Sequence, residues 1–530
     1  MSTRTPMAHR LPARMLVRAG FVIAAAALAA CAGHEQTASS SPDAVFTRGL
    51  DQISQFYIEP VSTRRVALAG IARLSRIDDK LGVSDTGAGA AGEGFGLNYD
   101  GHSIAYYSMP ADGNNRDWGS LVASLTAAAR QASPRLAGLS EDVVQKAVFD
   151  GMTGSLDHYS RYATPKTARN QRAERDGYSG IGLTLEPVGN SFHVALLCPR
   201  GPAEQAGIRP GDELLAVDGV PTAGRPQDEV MDELRGPVGS AVAISTRQAG
   251  AARPRDMTLQ RAFVTLPTVT MTRDGNIAVF RIASFNQATT QRLTEELAKA
   301  QRDAGGHLAG IVLDLRGDPG GLLDQAVSLA DLFLKQGPIA STTGRHPASR
   351  QAFAASGKAV APDLPIAVLV NGGSASAAEI VAAALQDHGR AVVIGSSSYG
   401  KGTVQTVLHL PNDGELILTW ARLLTPSGRV LQGNGIVPTV CTSDLAENET
   451  SVQSALQRVG AARSRQACPG RPTKPTIDVK VAERLLADPR LYSQALQAGR
   501  SASLAPRTPQ AARMAAGLTE QASALSSEPR

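Results

Sequence analysis

Between Asn371 and Gln405 the chain reads NGGSASAAEIVAAALQDHGRAVVIGSSSYGKGTVQ, and this stretch constrains the rest. A serine-rich turn opens a segment in which Ile380, Val381, Ala384 and Leu385 keep helical spacing. The β-branched run from Ala391 to Ile394 then reads as a buried strand, and Lys401 sits in the loop beyond it between Gly400 and Gly402. Helix, buried strand and glycine-flanked lysine in succession define an α/β unit laid out for a nucleophile and its base.

Ser376 has two readings on its own. With Glu379 three residues on, it forms a capping box, serine as N-cap and glutamate at N3. With Lys401 brought beside it, it suits Ser-Lys catalysis, a variant of the nucleophile-plus-base arrangement. A lysine held between two glycines after a buried strand is poorly explained as a solubilising charge. A lysine takes a proton only when neutral, and burial in apolar surroundings favours the neutral form.

SASAAEIVAAALQDHGRAVVIG and YGKGTVQTV resemble the active-site signature of the carboxyl-terminal processing, or tail-specific, proteases. The likeness extends upstream to IVLDLRGDPGGLL, from Ile311 to Leu323, and downstream to LLTPSGRVLQGNGIVPTV, from Leu423 to Val440. The resemblance implies an α/β, crotonase-like (ClpP-like) spiral protease core. It makes Ser376, rather than Ser374, the nucleophile and Lys401 the general base. Gln405 would hydrogen-bond and orient the lysine, and the backbone amides of Gly321 and Ala377 would form the oxyanion hole. Asp318 departs from the pattern, since members often carry asparagine there.

The first thirty residues carry Arg4, Arg10, Arg14 and Arg18 with no acid, followed by the apolar run Ala19 to Ala30. That run is too short to span a bilayer and reads as a signal peptide. Its end, Leu28-Ala29-Ala30-Cys31, resembles a bacterial lipobox, which implies cleavage before Cys31 and lipidation of that residue; an ordinary small-residue cleavage site is the alternative. Removing the four arginines lowers the formal net charge from +5 to +1, so the basic balance gives no support to a nucleic-acid partner. The expected location is the cell envelope, on the periplasmic side, anchored to the membrane by lipid.

The expected organisation places a signal peptide at residues 1–30, a flexible tether at 31–43, and a helical N-terminal region at 44–176. An insertion from about Asp79 to Ala137 interrupts that region. In it, Gly87 to Gly92 matches dinucleotide-fingerprint spacing without strand or helix context and reads as a loop before a hairpin of FGLNYDG and SIAYYSM. Residues 177–263 resemble a PDZ domain, followed by the protease core at 264–440, a C-terminal extension at 441–500 and a disordered tail at 501–530.

The resemblance implies that Gly180, Ile181, Gly182 and Leu183 bind the terminal carboxylate of a peptide added as a strand; an ordinary strand start is the other reading of this loop. Arg235 either couples this site to catalysis or is a solvated surface arginine. Substrates would be proteins or peptides with apolar C-termini. No metal or cofactor is indicated, because no HExxH, HxH or CxxC pattern occurs.

Export leaves three cysteines after Cys31 in an oxidising compartment. Cys441 and Cys468 are able to close a loop and Cys198 reads as a core thiol, although sequence alone leaves the pairing open. His388 lies about three turns, or 18 Å, along the helix from Ser376, too far to take its proton. Asp387 and Arg390 read either as a brace for the catalytic loops or as an exposed ion pair. Two rivals to an endopeptidase are a catalytically silent PDZ scaffold and a crotonase-type acyl-CoA enzyme, the latter ill-suited to an exported chain with a PDZ-like insert.

Overall fold

The computed structural model describes residues 41–89, 92–459, 466–472 and 475–504. Cys31, the apolar run before it and residues 505–530 lie outside the described residues. Among the described residues no helix is long and apolar enough to cross a membrane.

A six-stranded sheet runs in the order Val269–Asp274, Ile277–Ile282, Gly310–Asp314, Ile366–Val370, Val392–Gly395, Val440–Cys441. Its first pair is antiparallel and the rest are parallel. Side chains alternate across it. Ile366, Val368 and Val370 pack with Leu293, Leu329 and Val381 from the helices Thr289–Asp303, Leu323–Asp331 and Ala377–Asp387. Ala367 and Leu369 pack on the opposite face with Val481, Leu485 and Tyr492 from the helices Thr476–Leu486 and Pro489–Leu504.

A parallel sheet covered on both faces has uniformly apolar strands, which is why IAVLV shows no polar alternation. The segment expected as an extension beyond the core is therefore one wall of it. Leu485 is fully buried there, and truncating it to alanine would cost about 2–5 kcal/mol. Its last helix runs to Leu504, past the expected start of the tail at residue 501.

A second sheet is ordered Gln351–Ala354, Pro338–Thr343, Glu415–Leu424, Thr403–His409, and the short strand Arg161–Ala163 also pairs with Glu415–Leu424. The N-terminal helices dock on this sheet: Phe46, Leu50, Trp118 and Phe149 share one cluster with Leu410, Leu416 and Leu418. The first helix begins at Pro42, capped by the Ser41 hydroxyl accepting from Ala44 N, so the expected tether ends earlier than residue 43.

In the insertion the expected hairpin forms from Gly92–Tyr99 and His102–Ser108. The glycine-rich stretch before it, expected as a loop, is in part a strand: Leu81–Gly89 pairs with Gly92–Tyr99, while Ala90 and Ala91 lie outside the described residues. Pairing with an existing edge overrides the low strand propensity of glycine and alanine.

The PDZ-like unit is a sheet ordered Arg255–Gln260, Ala241–Arg247, Glu213–Val217, Ser191–Leu197, Leu183–Val188, with the helix Gln227–Leu234 beside its last strand. The chain enters and leaves through one neck, where Tyr178–Gly180 pairs antiparallel with Ala262–Val264.

Candidate active site

Strand Ile366–Val370 ends in a turn that delivers Ser376 to the start of the helix Ala377–Asp387. Ser376 has φ +54° and ψ −114°, a conformation non-glycine residues rarely adopt and one that costs about 1–3 kcal/mol. Gly320 lies against it: a Cβ added at Gly320 would stand 2.8 Å from Ser376 Cβ and 3.0 Å from Ala377 N. Ser374 is different. Its fully buried hydroxyl accepts from Asn371 N at 2.9 Å and donates to Leu315 O at 2.8 Å, so it holds the turn together.

Glu379 organises the site. Its carboxylate is fully buried, and Oε2 accepts from the backbone N–H of Ser376 at 2.8 Å and of Lys401 at 2.9 Å. Oε1 accepts from Gly400 N at 2.8 Å and from the Ser398 hydroxyl. Burial raises the carboxyl's pKa, and these four donors oppose that by stabilising the charged form. The capping box visible in the sequence is only part of Glu379's role, since the same carboxylate also clamps the loop of Lys401.

Lys401 Nζ lies over the ring of Tyr159, 5.3 Å from its centroid, and no ion pair holds it among the described residues. Burial pulls its pKa down, the positive charge of Arg161 lowers it further, and Glu379 opposes both. Desolvation disfavours the ammonium, so the neutral amine is reached at lower pH than for an exposed lysine.

Neither Gly321 N–H nor Ala377 N–H donates to a protein acceptor among the described residues. Gly321 sits in a bridge with Phe285: Phe285 N donates to Gly320 O at 3.0 Å, and Leu322 N to Phe285 O at 2.9 Å. One of these amides opens the helix after Ser376 and the other follows Gly320, which lies against Ser376, so both are donors close to the turn in the chain path, with no protein acceptor among the described residues.

Gln405 donates from Nε2 to the hydroxyls of Thr403 at 3.0 Å and Thr419 at 3.2 Å, and neither bond involves Lys401. Thr419 in turn donates to Asp157 Oδ1, which also accepts from Tyr159 N at 2.7 Å and Ser160 N at 2.8 Å. Gln405 thus reaches the lysine indirectly, through the turn that carries Tyr159. The Asp157 turn, Tyr159 and Arg161 were not legible in the sequence as site residues. They come from the far N-terminal side, and their only local signal is an Asx turn.

Asp387 and Arg390 do not pair with each other. Asp387 is buried, accepting from Ser427 N and Oγ and pairing with Arg429 at 3.0 Å. Arg390 donates to Phe333 O and Ala361 O. His388 caps the helix end, Nε2 donating to Pro338 O at 2.7 Å. Asp318 is buried with Oδ1 accepting from Gly320 N at 2.8 Å, so it shapes the loop that carries Gly321.

In the PDZ-like unit, Gly180, Ile181, Gly182 and Leu183 are all buried. Ile181 O accepts from Ala203 N at 2.9 Å and Gly182 O from Cys198 N at 2.8 Å. The edge strand Leu183–Val188 is partly covered by its own neighbours: Tyr178 Oη donates to Leu183 O at 3.1 Å and Gln227 Nε2 to Leu185 O at 2.7 Å. A cleft of about 380 Å³ opens beside it, lined by Tyr178, Leu185, Gln227, Met231 and Arg235. Arg235 is not a solvated surface residue, since its side chain is only 18% exposed, donates to Asn170 at 2.7 Å and lies over the Tyr178 ring.

Cys441 and Cys468 form a disulfide, and Cys198 is a buried free thiol.

This fold and site define a class, a peptidase with a PDZ module. Residues 276–442 match the model of peptidase family S41, and residues 193–248 match a PDZ domain. The carboxy-terminal-processing protease of Bartonella bacilliformis is 38% identical over 302 residues, covering 57% of this chain and 69% of that one. A probable CtpA-like serine protease of Staphylococcus saprophyticus is 34% identical, covering 56% of this chain and 60% of the relative. Among solved structures, the photosystem II D1 C-terminal processing protease aligns at 28% identity and a TM-score of 0.34, covering 59% of this chain and 87% of that one. The chain belongs to the carboxy-terminal-processing proteases of peptidase family S41.

Proposed function

We propose that this protein is an exported, lipid-anchored serine endopeptidase that captures protein C-termini on its PDZ domain and cleaves near them through a Ser376 acyl-enzyme. Neutral Lys401 Nζ takes the proton from Ser376 Oγ as the oxygen attacks the scissile carbonyl. The oxyanion rests on the N–H groups of Gly321 and Ala377, and the lysine then returns its proton to the leaving amine. Water, activated by the same amine, hydrolyses the ester and frees Ser376.

The observation that carries this reading is the single Glu379 oxygen accepting from both Ser376 N and Lys401 N, which ties nucleophile turn and base loop together at hydrogen-bond length. Gly180 to Leu183 and the adjacent strand edge would receive the substrate tail. Cys31 would carry the lipid that keeps the enzyme on the periplasmic side of a membrane.

The test is covalent trapping: a fluorophosphonate reacted with the purified mature chain, followed by mass mapping of the modified residue. Label on Ser376, lost in Lys401→Ala, is expected. Absence of label with retained binding of peptide C-termini would leave the silent scaffold standing instead.

A further inference from the structure

The segment Cys468–Pro472, far from Ser376 in sequence and tethered by the Cys441–Cys468 disulfide, is hydrogen-bonded to both catalytic loops. On the nucleophile side, Gly372 N donates to Arg471 O at 2.8 Å, and Asn371 Nδ2 donates to Pro472 O at 3.1 Å. On the base side, Arg471 N donates to Ser396 Oγ at 3.0 Å, and Ser397 N donates to Cys468 O at 3.3 Å. Asn371 extends the contact to a third loop, because its Oδ1 accepts from Gly317 N at 2.8 Å, at the start of the turn that leads to Gly321.

Two glycines make this backbone-on-backbone packing possible. A Cβ on Gly470 would stand 2.7 Å from Ser397 O, and one on Gly372 would stand 3.2 Å from Arg471 N. The disulfide is buried at both ends, and Arg471 adds a hydrogen bond from its side chain to Thr442 O at 2.6 Å, next to Cys441. The strap is therefore anchored at one end to the strand Val440–Cys441, bonds directly to the turn that leads to Ser376 and the loop that leads to Lys401, and reaches the turn that leads to Gly321 through Asn371.

We propose that this disulfide-held strap is a positioning element of the active site: it sets the spacing between the nucleophile turn, the base loop and the oxyanion loop. The proposal rests on the Ser376–Lys401 reading above. Catalytic geometry is sensitive at this scale, since displacement by about 1 Å can cost on the order of a hundredfold in rate. Displacing Ser396 and Ser397 would also move the loop that runs on to Lys401, and with it the packing against Tyr159 and the burial that disfavours the ammonium.

The experiment compares the full mature chain with Cys441→Ala/Cys468→Ala and, separately, with Gly470→Ala, which keeps the disulfide but pushes the strap off Ser397. Fluorophosphonate labelling rate per folded molecule, its pH profile, and the KM of a peptide substrate are measured, with the folded fraction taken from circular dichroism. Both variants should label about ten- to a hundredfold more slowly, with the pH profile displaced upward and KM little changed. If the double variant does not fold, Gly470→Ala alone decides. Labelling at the wild-type rate with an unmoved pH profile, or a loss that only tracks the unfolded fraction, overturns the proposal. Wild type that takes no label on Ser376 overturns the reading it rests on and the strap's role with it.

Discussion

Ser376 and Lys401 hang from one atom: their backbone N–H groups donate to the same Glu379 oxygen at 2.8 and 2.9 Å. A carboxylate with no exposed surface that satisfies four donors is costly to alter, because each donor left unpaired in a dry site loses about 1–3 kcal/mol.

Glu379→Gln keeps the shape but turns one acceptor oxygen into a donor facing donors. We expect kcat to fall about ten- to a hundredfold with KM nearly constant, since the substrate site is untouched. Steady-state kinetics on a tail peptide check it; an unchanged kcat would remove Glu379 from the machinery.

The two serines of the turn should separate cleanly. If the pair acts as the proposed nucleophile and base, Ser376→Ala and Lys401→Ala should each abolish cleavage in a folded protein. Ser374→Ala leaves Asn371 N and Leu315 O without their hydroxyl partner and should cost about 1–3 kcal/mol of stability. Thermal unfolding and peptide cleavage, measured side by side, distinguish the two kinds of loss.

The pH profile should carry the sign of the lysine's environment. Lys401 is held below the ordinary lysine value, and only its neutral form accepts a proton, so the acylation rate should rise with pH and level off before that ordinary value. Removing a neighbouring positive charge lets the ammonium persist, so Arg161→Gln should move the profile to higher pH and slow the reaction at neutrality. A profile that stays in place would mean Arg161 does not act on Lys401.

The edge strand of the PDZ unit offers a test of tail capture. A peptide adding there must displace Tyr178 from Leu183 O and Gln227 from Leu185 O. Gln227→Ala should therefore tighten peptide binding about two- to tenfold, matching one net hydrogen bond. Calorimetry with a free-acid peptide and its amidated twin reads both effects, and amidation should weaken capture sharply. Equal affinity for the two peptides would show that the domain does not read the carboxylate.

The proposed lipid anchor is tested separately from catalysis. Cys31→Ala should abolish uptake of a fatty-acid analogue and shift the protein out of the membrane fraction, since on this proposal acyl chains on Cys31 would supply the affinity. Wild type that takes up no label would end the lipobox reading.

Residue pattern alone was enough to mark the turn, helix, strand and glycine-flanked lysine from Asn371 to Gln405, because periodicity and glycine placement are local properties of the chain. It also pointed to the PDZ-like strands and the hairpin after Gly92. It did not reveal that Thr476–Leu486 and Pro489–Leu504 form one wall of the core, since an amphipathic helix does not say which sheet it will cover. Nor did it choose Cys441–Cys468 among three thiols, link Gln405 through Thr419 to the Asp157 turn, or bring Tyr159 against Lys401. Glu379 shows the division most plainly: its place at N3 of a helix can be read from four residues, whereas its burial and its hold on Lys401 exist only once distant loops close over it. Desolvation and hydrogen bonding between segments depend on what the fold brings near, and tertiary structure alone decides that.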